Sequence, residues 1–136
     1  MADTTPFLAE ESYVIVGYRR GGVWYGRLRE HRVGAPAHVE VDWSWVLARE
    51  ERQGDVIGFY HTHPSGMGTP SARDVRTMHG WVSCFGKPLL CVIESDQVLN
   101  AYLYTDDEGK GQALAEVQRF PRQVIVVVQG QEVRDA

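Results

Sequence analysis

The segment from Val56 to Phe85 limits the fold more than any other part of the chain. Val56-Ile57-Gly58-Phe59-Tyr60 is an apolar run of strand length. Val75, Met78, Val82 and Phe85 recur at 3- and 4-residue spacings, the pattern of a helix with one buried stripe. Between them lies His61-Thr62-His63-Pro64-Ser65-Gly66-Met67-Gly68-Thr69-Pro70-Ser71-Ala72-Arg73-Asp74, a Gly/Pro-rich loop that leads from strand to helix. In an extended strand, residues two apart project to one side, so His61 and His63 present two imidazoles to a single point. Asp74, on the first helical turn, can add a carboxylate. Two nitrogens, one carboxylate oxygen and an open fourth position make the donor set of a catalytic rather than a structural zinc site.

The rest of the chain reads as an α/β mixture with more strand than helix. Ser12–Tyr18 is β-branched and aromatic, a strand. The turn Arg19-Arg20-Gly21-Gly22 returns it along Val23–Val33 as a hairpin. Gly34-Ala35-Pro36 breaks that strand, and His38–Val41 adds a short extended piece. Asp42 caps a helix over Trp43–Gln53, with Trp43, Val46 and Leu47 expected inward and Arg49, Glu50, Glu51 and Arg52 towards water. After the Val75–Phe85 helix come strands at Leu89–Ile93 and Val98–Tyr104, expected to pair, then an acidic loop from Thr105 to Gly111. Ala113–Phe120 fits a strand or a short helix, and Val124–Val128 is a last strand. At 136 residues, without repeats or a linker, the chain is expected to be one domain over 1–136, with 1–9 and 130–136 as loose ends.

Charge narrows the class of partner. The net charge is −4 and the arginines are scattered, so the basic stripe of a nucleic-acid binder is missing. No charged-then-apolar leader and no apolar run near 20 residues is present. We expect a cytoplasmic protein whose function needs neither nucleic acid nor membrane. Cys84 and Cys91 lack a CxxC spacing and read as buried free thiols. His31 and His38 read as surface residues, and His79, off the Asp74 face of its helix, as a packing or solvent residue.

Hydrolysis at such a zinc site needs further groups. The ion lowers the pKa of a water from 15.7 to about 7. A carboxylate must take that proton and pass it to the leaving amine, and a hydroxyl or N–H must stabilise the oxyanion. Ser71, at the helix mouth, is placed for the last task. A plainer reading stands beside it: Ser71-Ala72-Arg73-Asp74 is also a capping box, whose serine and acid satisfy free N–H groups. A lone His-x-His is equally weak. The conjunction carries the signal: His-x-His, seven residues, Ser, two residues, Asp, on strand–loop–helix.

That conjunction resembles the H-x-H-x(7)-S-x(2)-D signature of the JAMM, or MPN+, zinc metalloproteases, and Val-Ile-Gly-Phe-Tyr resembles the strand that enters it. The similarity runs from about Glu10 to Tyr104. It implies a cytidine-deaminase-like layered fold, a mixed curved β-sheet flanked by helices. It implies His61, His63 and Asp74 as ligands of Zn2+, with Ser71 assisting the oxyanion. The activity implied is isopeptide or peptide hydrolysis after the C-terminal glycine of ubiquitin or a ubiquitin-like protein. No long insertions are evident around the motif, so the large clamping segments of eukaryotic deubiquitinases are expected to be absent, and the chain is similar to the minimal stand-alone members of bacteria and archaea. Bacterial relatives occur beside E1-, E2- and ubiquitin-like proteins, including in anti-phage systems, and others act on sulfur-carrier proteins.

The family also uses an upstream glutamate as general acid/base, in a pattern like E-x-x-G-x-x-x-G. Counting back seven from Gly17 selects Glu10, and counting six selects Glu11. Tyr13 replaces the family's middle glycine, so the register is not anchored there. Glu10 is preferred and Glu11 is the alternative. Glu30 and Glu40 lie too near the motif and read as surface residues. Two other readings compete: a non-catalytic MPN-like scaffold, whose members typically lack a ligand, and a RadC-like DNA-associated protein, whose motif also runs HxHPSG. Against the second stand the acidic balance and the apolar Leu-Leu-Cys-Val-Ile where that family carries an Asp-His pair.

Overall fold

The computed structural model describes residues 10–34, 41–63, 68–96, 98–106 and 111–128. The elements are β1 (Glu11–Arg20), β2 (Val23–Val33), α1 (Trp43–Gln53), β3 (Val56–His63), α2 (Ala72–Phe85), β4 (Leu89–Ser95), β5 (Val98–Tyr104), β6 (Gln112–Leu114), β7 (Glu116–Phe120) and β8 (Gln123–Val127). All eight strands join one sheet in the order β6-β5-β4-β3-β1-β2-β8-β7. Among the described strands only β3 and β4 run parallel, because α2 carries the chain from one to the other. The remaining pairs are antiparallel. The sheet curls until β7 meets β5, so it is nearly closed. The expected mixed, curved α/β sheet with helices is therefore the fold.

Strand alternation sorts the core into two layers. Val14 and Val16 of β1, Phe59 of β3 and Leu89, Cys91 and Ile93 of β4 face both helices, meeting Val46 of α1 and Met78 and Val82 of α2. Ile15, Ile57, Tyr60, Leu90, Val92 and Leu103 point the other way, into the curl, and meet Trp24, Leu28, Val124 and Val126. Each fully buried Val, Leu or Met side chain contributes about 1.5–3 kcal/mol, so the sheet is held from both sides. Gly58 is needed where β3 crosses β4: a Cβ there would lie 2.4 Å from the Leu90 carbonyl oxygen. Among the described residues no helix is long and apolar enough to cross a membrane.

Several expectations are corrected. The face of α1 is turned: Arg49 is 7% exposed, whereas Leu47 is exposed. The cause is Asp55, whose two carboxylate oxygens each bond the Arg49 guanidinium at 2.8 Å, a bidentate pairing that lets a charge take the inward position. Cys91 is buried as expected, but Cys84 is exposed, because it falls off the Met78–Val82 stripe. Ala113–Phe120 is neither one strand nor a helix but β6 and β7, interrupted at Ala115. β3 runs on through His63, and β1 and β4 are longer than the apolar runs that announced them. His31, by contrast, is exposed on the β2 strand as expected, and its ring stacks on Tyr13. The loose ends 1–9 and 130–136, the extended piece at 38–40 with His38 and Glu40, and the acidic loop at 107–110 lie outside the described residues.

Candidate metal centre

The two histidines close β3, a strand paired on both sides. His61 lies opposite Ser12 of β1 and Ile93 of β4, and His63 opposite Ser95 of β4. Pairing on both flanks fixes the backbone, and the two-residue period sends both rings to the helix-bearing face. There they meet the start of α2. Ser71 is its N-cap, with φ −77° and ψ 171°, and Asp74 stands at the third helical position. The capping box is complete: the Asp74 N–H donates to Ser71 Oγ at 3.1 Å, and the Ser71 N–H donates to Asp74 Oδ2 at 2.8 Å.

Three donor atoms converge. His61 Nε2 and His63 Nε2 are 2.9 Å apart, and Asp74 Oδ2 lies 3.3 Å from the first and 3.1 Å from the second. The three side chains are only 9–17% exposed. For tetrahedral zinc with bonds of about 2.0–2.2 Å, neighbouring donor atoms stand about 3.3 Å apart, so the triangle fits that ion. The donor chemistry also fits, with two imidazoles and one carboxylate. Burial opposes ionisation of Asp74, but hydrogen bonds from His61 and His63 outweigh it and hold the carboxyl well below the usual carboxylate range. The site therefore keeps its carboxylate charged at neutral pH. Among the described residues this is the group of His, Cys, Asp and Glu that can hold a metal.

The glutamates part company at the edge of β1. Antiparallel pairing sets Ser12 against His61 and Tyr13 against Tyr60. Glu10 immediately precedes β1, two residues from Ser12, where the register with β3 ends; strand alternation carried on to it would put it on the side that Ser12 and Val14 share. The Glu10 carbonyl is held by the Gly34 N–H at 2.8 Å. Glu11 takes the opposite side: its carboxylate meets His31 Nε2 at 2.8 Å, and its N–H donates to Thr62 Oγ1 at 2.8 Å. Glu30 sits in a bulge of β2, at φ 52°.

Sequence reading passed over three residues here. Ser12 is 3% exposed, and among the described residues its hydroxyl has no hydrogen-bond partner, although it shares a face with His61. Asn100 and Tyr102, on β5, both donate to the carbonyl of Gly68 in the loop before α2. No local signal marks them, because their relation to the motif exists only once β5 has paired with β4. His79 packs edge-on against Tyr104.

Comparison with known proteins agrees with this geometry. The family model described as prokaryotic homologs of the JAB domain matches residues 8–108. That span includes β1, the His-x-His strand, α2 and the β4–β5 hairpin, and stops before β6. Among curated proteins no match is found.

Proposed function

Since the chain belongs to the family of prokaryotic homologs of the JAB domain, we propose that it is a cytoplasmic zinc-dependent isopeptidase or peptidase. Its substrate is the C-terminal glycine bond of a ubiquitin or ubiquitin-like protein, cleaved in deconjugation or in precursor maturation. The convergence of His61, His63 and Asp74 on one point is the observation that carries this reading.

The roles follow from chemistry. His61, His63 and Asp74 would hold the ion. When bound, zinc supplies a Lewis acid and a water acidic enough to attack at neutral pH. Glu10 takes the proton of the attacking water as its oxygen adds to the substrate carbonyl carbon. The same carboxyl then delivers that proton to the departing amine as the C–N bond breaks. Ser71 Oγ already accepts the Asp74 N–H, so its own proton is free to be donated to the carbonyl oxygen as negative charge develops there. An extended tail suits such a site, because strand addition delivers a backbone carbonyl at a fixed height above a sheet edge. E1- and E2-like conjugation proteins are the partners that this substrate class brings with it.

The test is hydrolysis of a ubiquitin-like fusion by protein brought to equimolar zinc. Cleavage that ends with Asp74→Ala and with excess chelator supports the proposal. Cleavage that persists in both rules out the metal mechanism, and zinc binding without hydrolysis of any ubiquitin-like fusion would favour a scaffold.

A further inference from the structure

We propose that Asn100 and Tyr102 are positioning residues of the metal centre: together they clamp the Gly68 carbonyl and so set where Ser71 and Asp74 stand relative to the two histidines. This rests on the metal site proposed above. The donor triangle has two halves with different supports. His61 and His63 belong to β3, which is fixed by β1 on one side and β4 on the other. Asp74 belongs to α2, which reaches the site through the loop that ends at Ser71. Met78 and Val82 pack the body of α2 on the sheet, and what anchors that loop sets the first turn, where Asp74 stands.

Gly68, three residues before the cap, touches the sheet. Its carbonyl oxygen accepts from Asn100 Nδ2 at 2.8 Å and from the Tyr102 hydroxyl at 3.1 Å. A carbonyl oxygen has two lone pairs, so two donors from different directions fix it in place. The donors themselves are held: Asn100 pairs across β4 with Ile93, which pairs with His61, and Tyr102 follows two residues later, opposite Cys91. Alternate residues on paired strands share a face, so the clamp and the histidines stand on one rigid surface. The approach is close enough to exclude a side chain, since a Cβ on Gly68 would lie 2.7 Å from Asn100 Nδ2. From Gly68 the chain reaches Ser71 through Pro70, whose ring fixes φ. A displaced Gly68 thus moves the cap whose N–H orients Asp74 Oδ2, and ligand geometry tolerates only about 0.5 Å of error.

Isosteric variants test this without opening a cavity. Asn100→Asp keeps the shape and turns a donor into an acceptor, while Tyr102→Phe removes only the hydroxyl; Asn100→Ser is the milder change should the double variant fold poorly. Amide hydrogen exchange is measured on metal-free protein, and zinc affinity by competition with a chromophoric chelator. Exchange over residues 68–75 is expected to quicken about tenfold per lost bond, with the strands unchanged. Zinc is expected to bind about tenfold more weakly in the double variant. Unchanged exchange overturns the clamp. Faster exchange with undiminished zinc affinity makes it a loop fastener only and overturns the positioning role. Failure of the unsubstituted protein to bind zinc overturns the proposed function itself, a result the exchange measurement does not share.

Discussion

Ser71 and Asp74 hold each other: the Ser71 N–H donates to Asp74 Oδ2, and the Asp74 N–H donates to Ser71 Oγ. The oxygen that accepts from the cap is also the one nearest His63. Helix capping and ligand orientation are therefore one arrangement. The two readings of Ser71-Ala72-Arg73-Asp74, structural and chemical, do not compete.

Ser71→Ala should accordingly do two separable things. Loss of the cap costs about 1 kcal/mol, a drop in Tm of a few degrees for a domain of this size. If Ser71 also serves the oxyanion, kcat should fall by about 10²-fold with KM little changed. A fall in kcat no larger than the loss of folded protein explains would confine Ser71 to capping.

The two candidate glutamates give a sharper contrast. Glu10→Gln should retain zinc and lose hydrolysis, while Glu11→Gln, whose side chain is engaged with His31, should keep most of its turnover. Steady-state rates with metal content measured on the same samples decide it. The reverse pattern would remove Glu10 from the mechanism.

Zinc should stabilise the fold through the three ligands alone. At a free concentration 100 times Kd the gain is about 2.7 kcal/mol, visible as a rise in Tm that excess chelator reverses. His61→Ala, His63→Ala and Asp74→Ala should each abolish the rise. A Tm indifferent to zinc in the unsubstituted protein would falsify the site.

The Arg49–Asp55 pair predicts a pH dependence. The Arg49 hydrogen bonds hold the Asp55 carboxyl below its ordinary value. A depressed carboxylate pKa stabilises the fold above the unfolded value of about 3.9, and the contribution is lost as pH falls through the folded one. Asp55→Asn should therefore cost about 1–3 kcal/mol at neutral pH, with the gap to the unsubstituted protein closing below about pH 4. Denaturant unfolding followed from pH 7 down through the acid range measures the closing gap, and a gap independent of pH would refute the assignment.

Gly58→Ala tests the strand that delivers the histidines. The added methyl meets the backbone of Leu90 rather than a movable side chain, so the cost should reach about 3 kcal/mol. That is a fall in Tm of about 10 °C, and an unchanged Tm would show that β3 and β4 separate freely.

What the sequence determined by itself was local. The β2 limits at Val23 and Val33, α1 with its Asp42 cap, α2 ending at Phe85 and the β4–β5 hairpin follow from periodicity and turn residues only a few positions apart. The donor triangle was legible for the same reason, since a two-residue strand period and a helix start place His61, His63 and Asp74 within one short segment. Tertiary structure decided whatever depends on residues far apart in the chain. Glu10 and Glu11 are neighbours in sequence, and only the pairing of β1 with β2 brings the Glu11 carboxylate to His31. Arg49 looked like a surface residue until Asp55 came to neutralise it. Asn100 and Tyr102 carry no motif and acquire their relation to Gly68 only when β5 closes against β4. Local preferences are read from a few consecutive residues, whereas cross-strand neighbours depend on strand order and register, which are settled by burying the two faces of one curled sheet together.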